Sequence, residues 1–158
     1  MVNLKTTWKK QSEIDRKWHL IDLSGHGIGR SATVIASLLT GKGKVDQVPN
    51  MDCGDYVVVI NASKLDIPRK RLDSKIYYSH SGYPGGLKEM PLSKLIHKDP
   101  AKVVRLAVKN MLPKNKLRDP RLTRLKIFAG GEHDHSAQTP VKYNLDKKKI
   151  NSEEKSGE

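Results

Sequence analysis

The chain has 158 residues, with 30 Lys and Arg against 17 Asp and Glu, and a formal net charge of +13. A single Cys excludes an internal disulfide, and with it a stapled secreted scaffold. No apolar run approaches the roughly 20 residues of a membrane helix, and Met1 to Lys10 lacks the apolar stretch of a signal peptide. A soluble intracellular protein of one domain is expected. Its excess charge asks for a polyanionic partner, most often nucleic acid.

Trp18-His-Leu-Ile-Asp-Leu23 is a short apolar run and predicts a strand. Gly25-His-Gly-Ile-Gly29 follows, and its glycines allow a tight turn. Arg30 to Leu39 predicts a helix with Val34, Ile35, Leu38 and Leu39 on its buried face, closed by Gly41. Asp55-Tyr-Val-Val-Val-Ile-Asn61 is nearly all apolar and β-branched, as for a strand covered on both faces. Ser63 to Ile67 fits a short strand or a turn. Lys75 to Ser79 reads as extended, and Gly82-Tyr-Pro-Gly-Gly86 as a loop. Pro91 to His97 predicts a short helix and Pro100 to Met111 a longer one. Val103, Val104, Ala107, Val108 and Met111 form the inner stripe of the longer helix, with Lys102, Arg105 and Lys109 on another face. Pro113 ends that helix, and Arg124 to Phe128 predicts a last strand. The order implies an α/β layer fold around a small sheet. An N-terminal extension is expected over 1–14, the RNA-binding α/β domain over 15–142, and a polar, flexible tail over 143–158.

The charge is concentrated in the middle. Residues 64–126 carry 17 basic and 5 acidic groups, a net of +12. Residues 1–63 carry +2 and residues 127–158 carry −1. Repulsion within so basic a segment is relieved by a bound polyanion.

Enzyme motifs are weak. Gly25, Gly27 and Gly29 mimic a dinucleotide-binding turn, but Arg30 is no third glycine and no phosphate-cradling G-x-x-x-x-G-K-[ST] element is present. His133 and His135, with His80, lack the sequence linkage of a metal site. Ser79, His80 and Ser81 are adjacent in an extended segment, where neighbours point to opposite faces. Asp52 and Asp55 read as turn formers and not as paired catalytic acids.

The RNA-binding signal is stronger. Arg69, Lys70, Arg71 and Lys75 form a basic cluster, followed by His80, Ser81, Tyr83, Gly85, Gly86 and Lys88. Cations suit a phosphate backbone, aromatics stack on bases, and glycines permit close approach; Tyr77 and Tyr78 fit either stacking or core packing. A second run holds Lys109, Lys114, Asn115, Lys116, Arg118, Arg121 and Arg124. Arg30 at the first helix and Lys42 and Lys44 before the second strand complete the candidate set. No helix-turn-helix, zinc-finger or cold-shock pattern is present.

Several blocks carry a family resemblance: Trp18-His-Leu-Ile-Asp22, Asp52-Cys-Gly-Asp-Tyr-Val-Val-Val-Ile-Asn61, His80-Ser-Gly-Tyr-Pro-Gly-Gly86 and Met111-Leu-Pro-Lys-Asn115, with Gln138-Thr-Pro140. In this order and spacing the chain resembles the bacterial form of the large ribosomal subunit protein L-thirteen family, over roughly residues 5 to 140. The resemblance implies a compact three-layer α/β fold, with a small mixed or parallel sheet of about four strands, flanking helices and extended basic loops. It implies a non-catalytic structural component of the large subunit, bound to large-subunit rRNA and neighbouring ribosomal proteins, joining early in assembly in the cytoplasm. No cofactor, metal, membrane or small-molecule substrate is implied. The rRNA contacts would lie at His80 to Lys88 and at Met111 to Asn115 with the basic run behind it. The residues alone leave two other readings open: a free-standing regulatory RNA binder and a nucleotide-dependent RNA-processing enzyme.

Overall fold

The computed structural model describes residues 10–45 and 47–145. Most of the expected extension, residues 1–9, and of the expected tail, residues 146–158, lies outside the described residues.

Strand β1 (Trp18–Asp22) and strand β2 (Tyr56–Ile60) form where the apolar runs predict them. Helix α1 (Ile28–Thr40) joins them. It starts earlier than expected, because extended Gly27 is its N-cap and Gly29 already lies in the first turn. Only Gly25 of that glycine cluster has a left-handed backbone (φ 71°). At the other end Gly41 takes φ 79° and donates to Ser37 and Leu38, while Lys42 also donates to Ser37. That double closure uses the carbonyls a helix end leaves unsatisfied. Asn61 leads into a 3-10 turn at Ala62–Lys64, and the ambiguous stretch after it is irregular apart from a bridge between Gly27 and Asp66.

The basic middle contains more structure than its sequence advertises. Helix α2 covers Arg69–Ser74. Strands β3 (Ile76–His80) and β4 (Leu87–Pro91) pair antiparallel, with Tyr77 opposite Met90 and Ser79 opposite Lys88. Helices α3 (Leu92–Lys98) and α4 (Pro100–Met111) follow as predicted. Asp99 caps α4 by accepting from the Lys102 amide at 2.9 Å, with Pro100 at the first helical position. Short helix α5 (Arg118–Thr123), strand β5 (Leu125–Ile127) and a two-residue strand β6 (Val141–Lys142) complete the chain.

The main sheet has four parallel strands in the order β5-β2-β1-β6. β2 is central, and Val57, Val58 and Val59 are fully buried. Strand alternation sends Ile21, Leu23, Val57, Val59 and Leu125 towards α1 and α4, where they meet Ile35, Leu39, Val104 and Val108. The opposite face carries Trp18 stacked on Tyr56 at 4.3 Å. His135, from the stretch after β5, lies between Trp18 and Phe128 and covers that face. The three layers are therefore helices, sheet, and this returning stretch. A second cluster, Leu92, Leu95 and Val103, takes in Leu72 of α2 and Tyr77 and Met90 of the hairpin. Met111, expected inside, is 44% exposed at the last turn of α4. Beyond β6, Tyr143 donates its amide to Leu20, and Leu145 packs on the core.

Gly54, just before β2, is pressed against the end of α1. A Cβ there would lie 1.8 Å from the Leu39 carbonyl oxygen, whereas one at Gly43 would meet open space. Gly54→Ala is expected to cost about 3 kcal/mol, the upper end for overpacking, and Gly43→Ala no more than about 0.5 kcal/mol. Urea unfolding of both variants measures this; equal midpoints would contradict the packing.

Candidate nucleic-acid interface

Two of the expected RNA-facing cations point inward. Arg121 is 2% exposed and Arg124 is 6% exposed. Both clamp Asp52: Arg121 Nε donates to it at 3.2 Å, and Arg124 donates through both terminal nitrogens. Arg124 also donates to the Leu39 carbonyl at the end of α1 (3.3 Å). A buried guanidinium needs such a partner, because an unpaired charge in the interior is prohibitively costly. Arg121 and Arg124 therefore leave the candidate RNA-binding set, and Asp52 is a charge partner, not a turn former. Burial pushes the Asp52 carboxyl up, but Arg124 and then Arg121 outweigh it and hold the group below the usual carboxylate range.

Asp55 is a second inward acid. It accepts from His19 Nε2 (3.1 Å), Lys44 Nζ (2.5 Å) and the Lys17 amide (3.0 Å). Burial raises its carboxyl, yet the His19 and Lys44 contacts and the Lys17 amide together lower it to about 2. Lys44, expected to meet RNA, is thus half-buried and engaged in tying the loop after α1 to the entry of β2.

Most of the remaining candidate cations gather in two places. The first is the hairpin with α2. Leu72 turns into the second cluster and leaves Arg69, Lys70 and Arg71 exposed beside it. Cross-strand partners share a face, so Tyr77 and Met90 face the core, with Ser79 and Lys88 further out on the same side. Lys75 lies 5.1 Å above the Tyr77 ring. Ile76, Tyr78, His80 and Leu87 occupy the outer face and are exposed. Tyr78 is 63% exposed and Tyr83, at the tip, 76%. The tip is built by its backbone: Ser81 donates to Gly86, Gly86 donates to Tyr83, and Gly82 donates to His80 Nδ1 (2.9 Å). Gly82 and Gly85 take φ values of 92° and 72° that favour glycine. A Cβ at Gly86 would lie 2.9 Å from the Tyr83 carbonyl oxygen and would displace the Ser81 hydroxyl, so the tip as folded favours glycine there.

The second place is the turn between α4 and α5. Lys114, Asn115 and Lys116 are exposed there, and Arg118 is half-buried 3.9 Å from Asp119. Thr33 Oγ1 contacts Met111 Sδ at 3.4 Å, which brings the first turn of α1, with exposed Arg30, to the same corner. Lys42 sits at the far end of α1, about 18 Å along the helix from Arg30 at 1.5 Å per residue, and joins neither group. Lys109 belongs to another place again, a groove between α4, α5 and β5.

The two histidines near the C-terminal end of the domain are engaged in packing. His133 and His135 pack on Phe128, and the His135 amide donates to His133 Nδ1. Among the described residues no group of three His, Cys, Asp or Glu side chains is placed to hold a metal. No described helix is long and apolar enough to cross a membrane. Cys53 is buried beside Gly54. Tyr77 and Tyr78 are the two aromatics that the sequence leaves undecided: Tyr77 packs on the second cluster, and Tyr78, its neighbour in an extended strand, faces outward.

A parallel α/β domain that holds its inner charges in carboxylate clamps and leaves exposed cations on a hairpin and a helical corner has the charge distribution of the polyanion-facing class of proteins. Comparison with known proteins sharpens the class. The chain belongs to the family described as Ribosomal protein L13, which matches residues 16–134. It is 51% identical over 141 residues to the large ribosomal subunit protein uL13 of Thermosipho africanus, covering 89% of this chain and 95% of that protein. It is 50% identical over 136 residues to the protein of the same name from Thermotoga maritima, covering 86% and 91%. For the one from Geobacter sp. the identity is 47% over 142 residues, covering 90% and 100%. The family read from the sequence blocks is thus the family to which the chain belongs.

The clamps make two outcomes checkable. Asp52→Ala strands two buried arginines and is expected to cost about 3–5 kcal/mol, read as a loss of urea-unfolding midpoint. Asp55 has a folded pKa of about 2 against 3.8 unperturbed. Its contribution, on the order of 2 kcal/mol, is complete above the unperturbed value and is lost as pH falls towards the folded one. Melting temperature should drop between about pH 4 and pH 2 in the wild type and drop less in Asp55→Asn. Parallel pH curves for the two proteins would show that the clamp contributes nothing.

Proposed function

We propose that this chain is a structural, non-catalytic component of the large ribosomal subunit that binds large-subunit rRNA, takes its place early in assembly beside neighbouring ribosomal proteins, and works in the cytoplasm. The observation that carries the reading is the hairpin edge. Three cations of α2, with Lys75 at its end and Lys88 of the hairpin, stand without an ion pair among the described residues beside a glycine-built tip and two exposed tyrosines. Cations suit the phosphates, the glycine tip admits a close backbone, and Tyr78 and Tyr83 offer faces for unstacked bases. The corner at Lys114, Asn115, Lys116 and Arg30 adds a second set of backbone contacts. The relatives named above are large-subunit proteins, which agrees with this chemistry.

Tagged chain in gently lysed cells should co-sediment with the large subunit and be released as salt rises. Charge reversal at Arg69, Lys70 and Arg71 should lower the slope of log affinity against log salt by about 2–3 for an rRNA fragment. A chain found wholly free of subunits would overturn the proposal.

A further inference from the structure

A shallow groove of about 430 Å³ runs between α4 on one side and α5 and β5 on the other. Lys102, Arg105, Leu106 and Lys109 enter it from α4. At 3.6 residues per turn these four fall within about 100° around the helix, so they form one stripe. Leu122 of α5 and Leu125 and Lys126 of β5 line the other side. Both walls therefore carry cations, with leucines between them.

The lining is more apolar than polar. Leu125 is buried in the floor, and Leu106 and Leu122 are half-buried. The methylene stems of the lysines and of Arg105 add to that apolar surface while their heads stay in water. Among the described residues no carboxylate lines the groove, and none of its four cations makes an ion pair. Asp99 instead caps α4, and Asp119 of α5 lies beside Arg118.

Its chemistry differs from that of the hairpin. Exposed Tyr78 and Tyr83 stand among the hairpin's cations. Among the described residues no aromatic side chain lines the groove, so it offers no platform for a base. A phosphate backbone would answer the cations and leave Leu106 and Leu122 wet. A partner that answers both carries carboxylates on either side of an apolar stripe. An amphipathic helix does this, because its apolar residues recur at three- and four-residue spacing.

We infer that this groove is the docking site for an acidic amphipathic helix of another protein. The apolar stripe of that helix covers Leu106 and Leu122, and its carboxylates meet Lys102, Arg105, Lys109 and Lys126. This site stands beside the RNA-binding reading and does not depend on it.

The test uses the full chain and two dye-labelled synthetic peptides of about 20 residues, long enough to hold a helix. One places leucines at i, i+3, i+4 and i+7 with glutamates flanking them. The other has the same composition, with the leucines scattered round the helix. Fluorescence anisotropy should show the first binding at least about tenfold tighter. Leu106→Gln should erase that preference and leave affinity for an rRNA fragment unchanged. Arg105→Glu with Lys126→Glu, both exposed, should lower affinity for the first peptide at least about tenfold. That double variant decides alone if Leu106→Gln fails to fold. Charge reversal at Arg69, Lys70 and Arg71 should weaken the rRNA fragment and not the peptide, so the two readings fail separately. Equal affinity for the two peptides would make the groove a site for negative charge alone and overturn the inference. Full peptide affinity in both groove variants would do the same. An rRNA affinity that falls on Leu106→Gln as far as the peptide's would assign the groove to RNA and also overturn it.

Discussion

Asp52 is the residue through which separate parts of the domain are held in one arrangement. Its carboxylate takes the guanidinium groups of Arg121 and Arg124 out of the solvent-facing population. Arg124 then reaches the last turn of α1 through the Leu39 carbonyl, while its own carbonyl accepts from Val57 at the start of the β2–β5 ladder. The end of the first helix, the entry of the central strand and the placing of the edge strand are therefore set together. Gly54 follows from the same constraint, because the loop that carries Asp52 has to pass against the α1 backbone with no side chain between. A buried ion network of this kind is weak evidence for net stability, and its measurable role is to make alternative arrangements costly.

A protein with so large a positive excess has to divide its cations between folding and binding. Asp52 and Asp55 perform that division. They take in Arg121, Arg124 and Lys44, each with its carboxylate held ionised, and leave the cations of α2, of the hairpin and of α4 for solvent or a partner. The hairpin is fixed at its base by Tyr77 and Met90 in the second cluster, so its tip projects from a packed support. Binding groups on such a support lose less freedom on association than groups on an unanchored loop.

Much of this was legible in the sequence where chemistry is local. The three valines of β2 announce a strand buried on both faces, and Gly41 announces the end of α1. Other elements depend on partners far along the chain. α5 is polar, short and contains Pro120, and Arg121 within it is buried only because Asp52 meets it from the other side of the fold. β4, Leu-Lys-Glu-Met-Pro, has no β-branched residue and is a strand because the glycine tip returns it to β3. Nothing in the local sequence separates Arg118 from Arg121 or Lys42 from Lys44, and in each pair one member is engaged inside more firmly than the other. The cations of the candidate surface could be gathered by composition, but their sorting required knowing which carboxylates lie within reach.

The position of β1 in the sheet has a consequence for how the domain is made. One edge of β1 pairs with β2, and the other is met, among the described residues, by the stretch from Val141 to Tyr143. A nascent chain emerging from its N-terminus therefore carries a strand with an open edge until residues 141–143 have been synthesised. Closing that edge is a long-range step, slow by topology and dependent on the least regular part of the described chain. The basic middle, including the hairpin, whose contacts are local, can reach its own arrangement well before that step is complete.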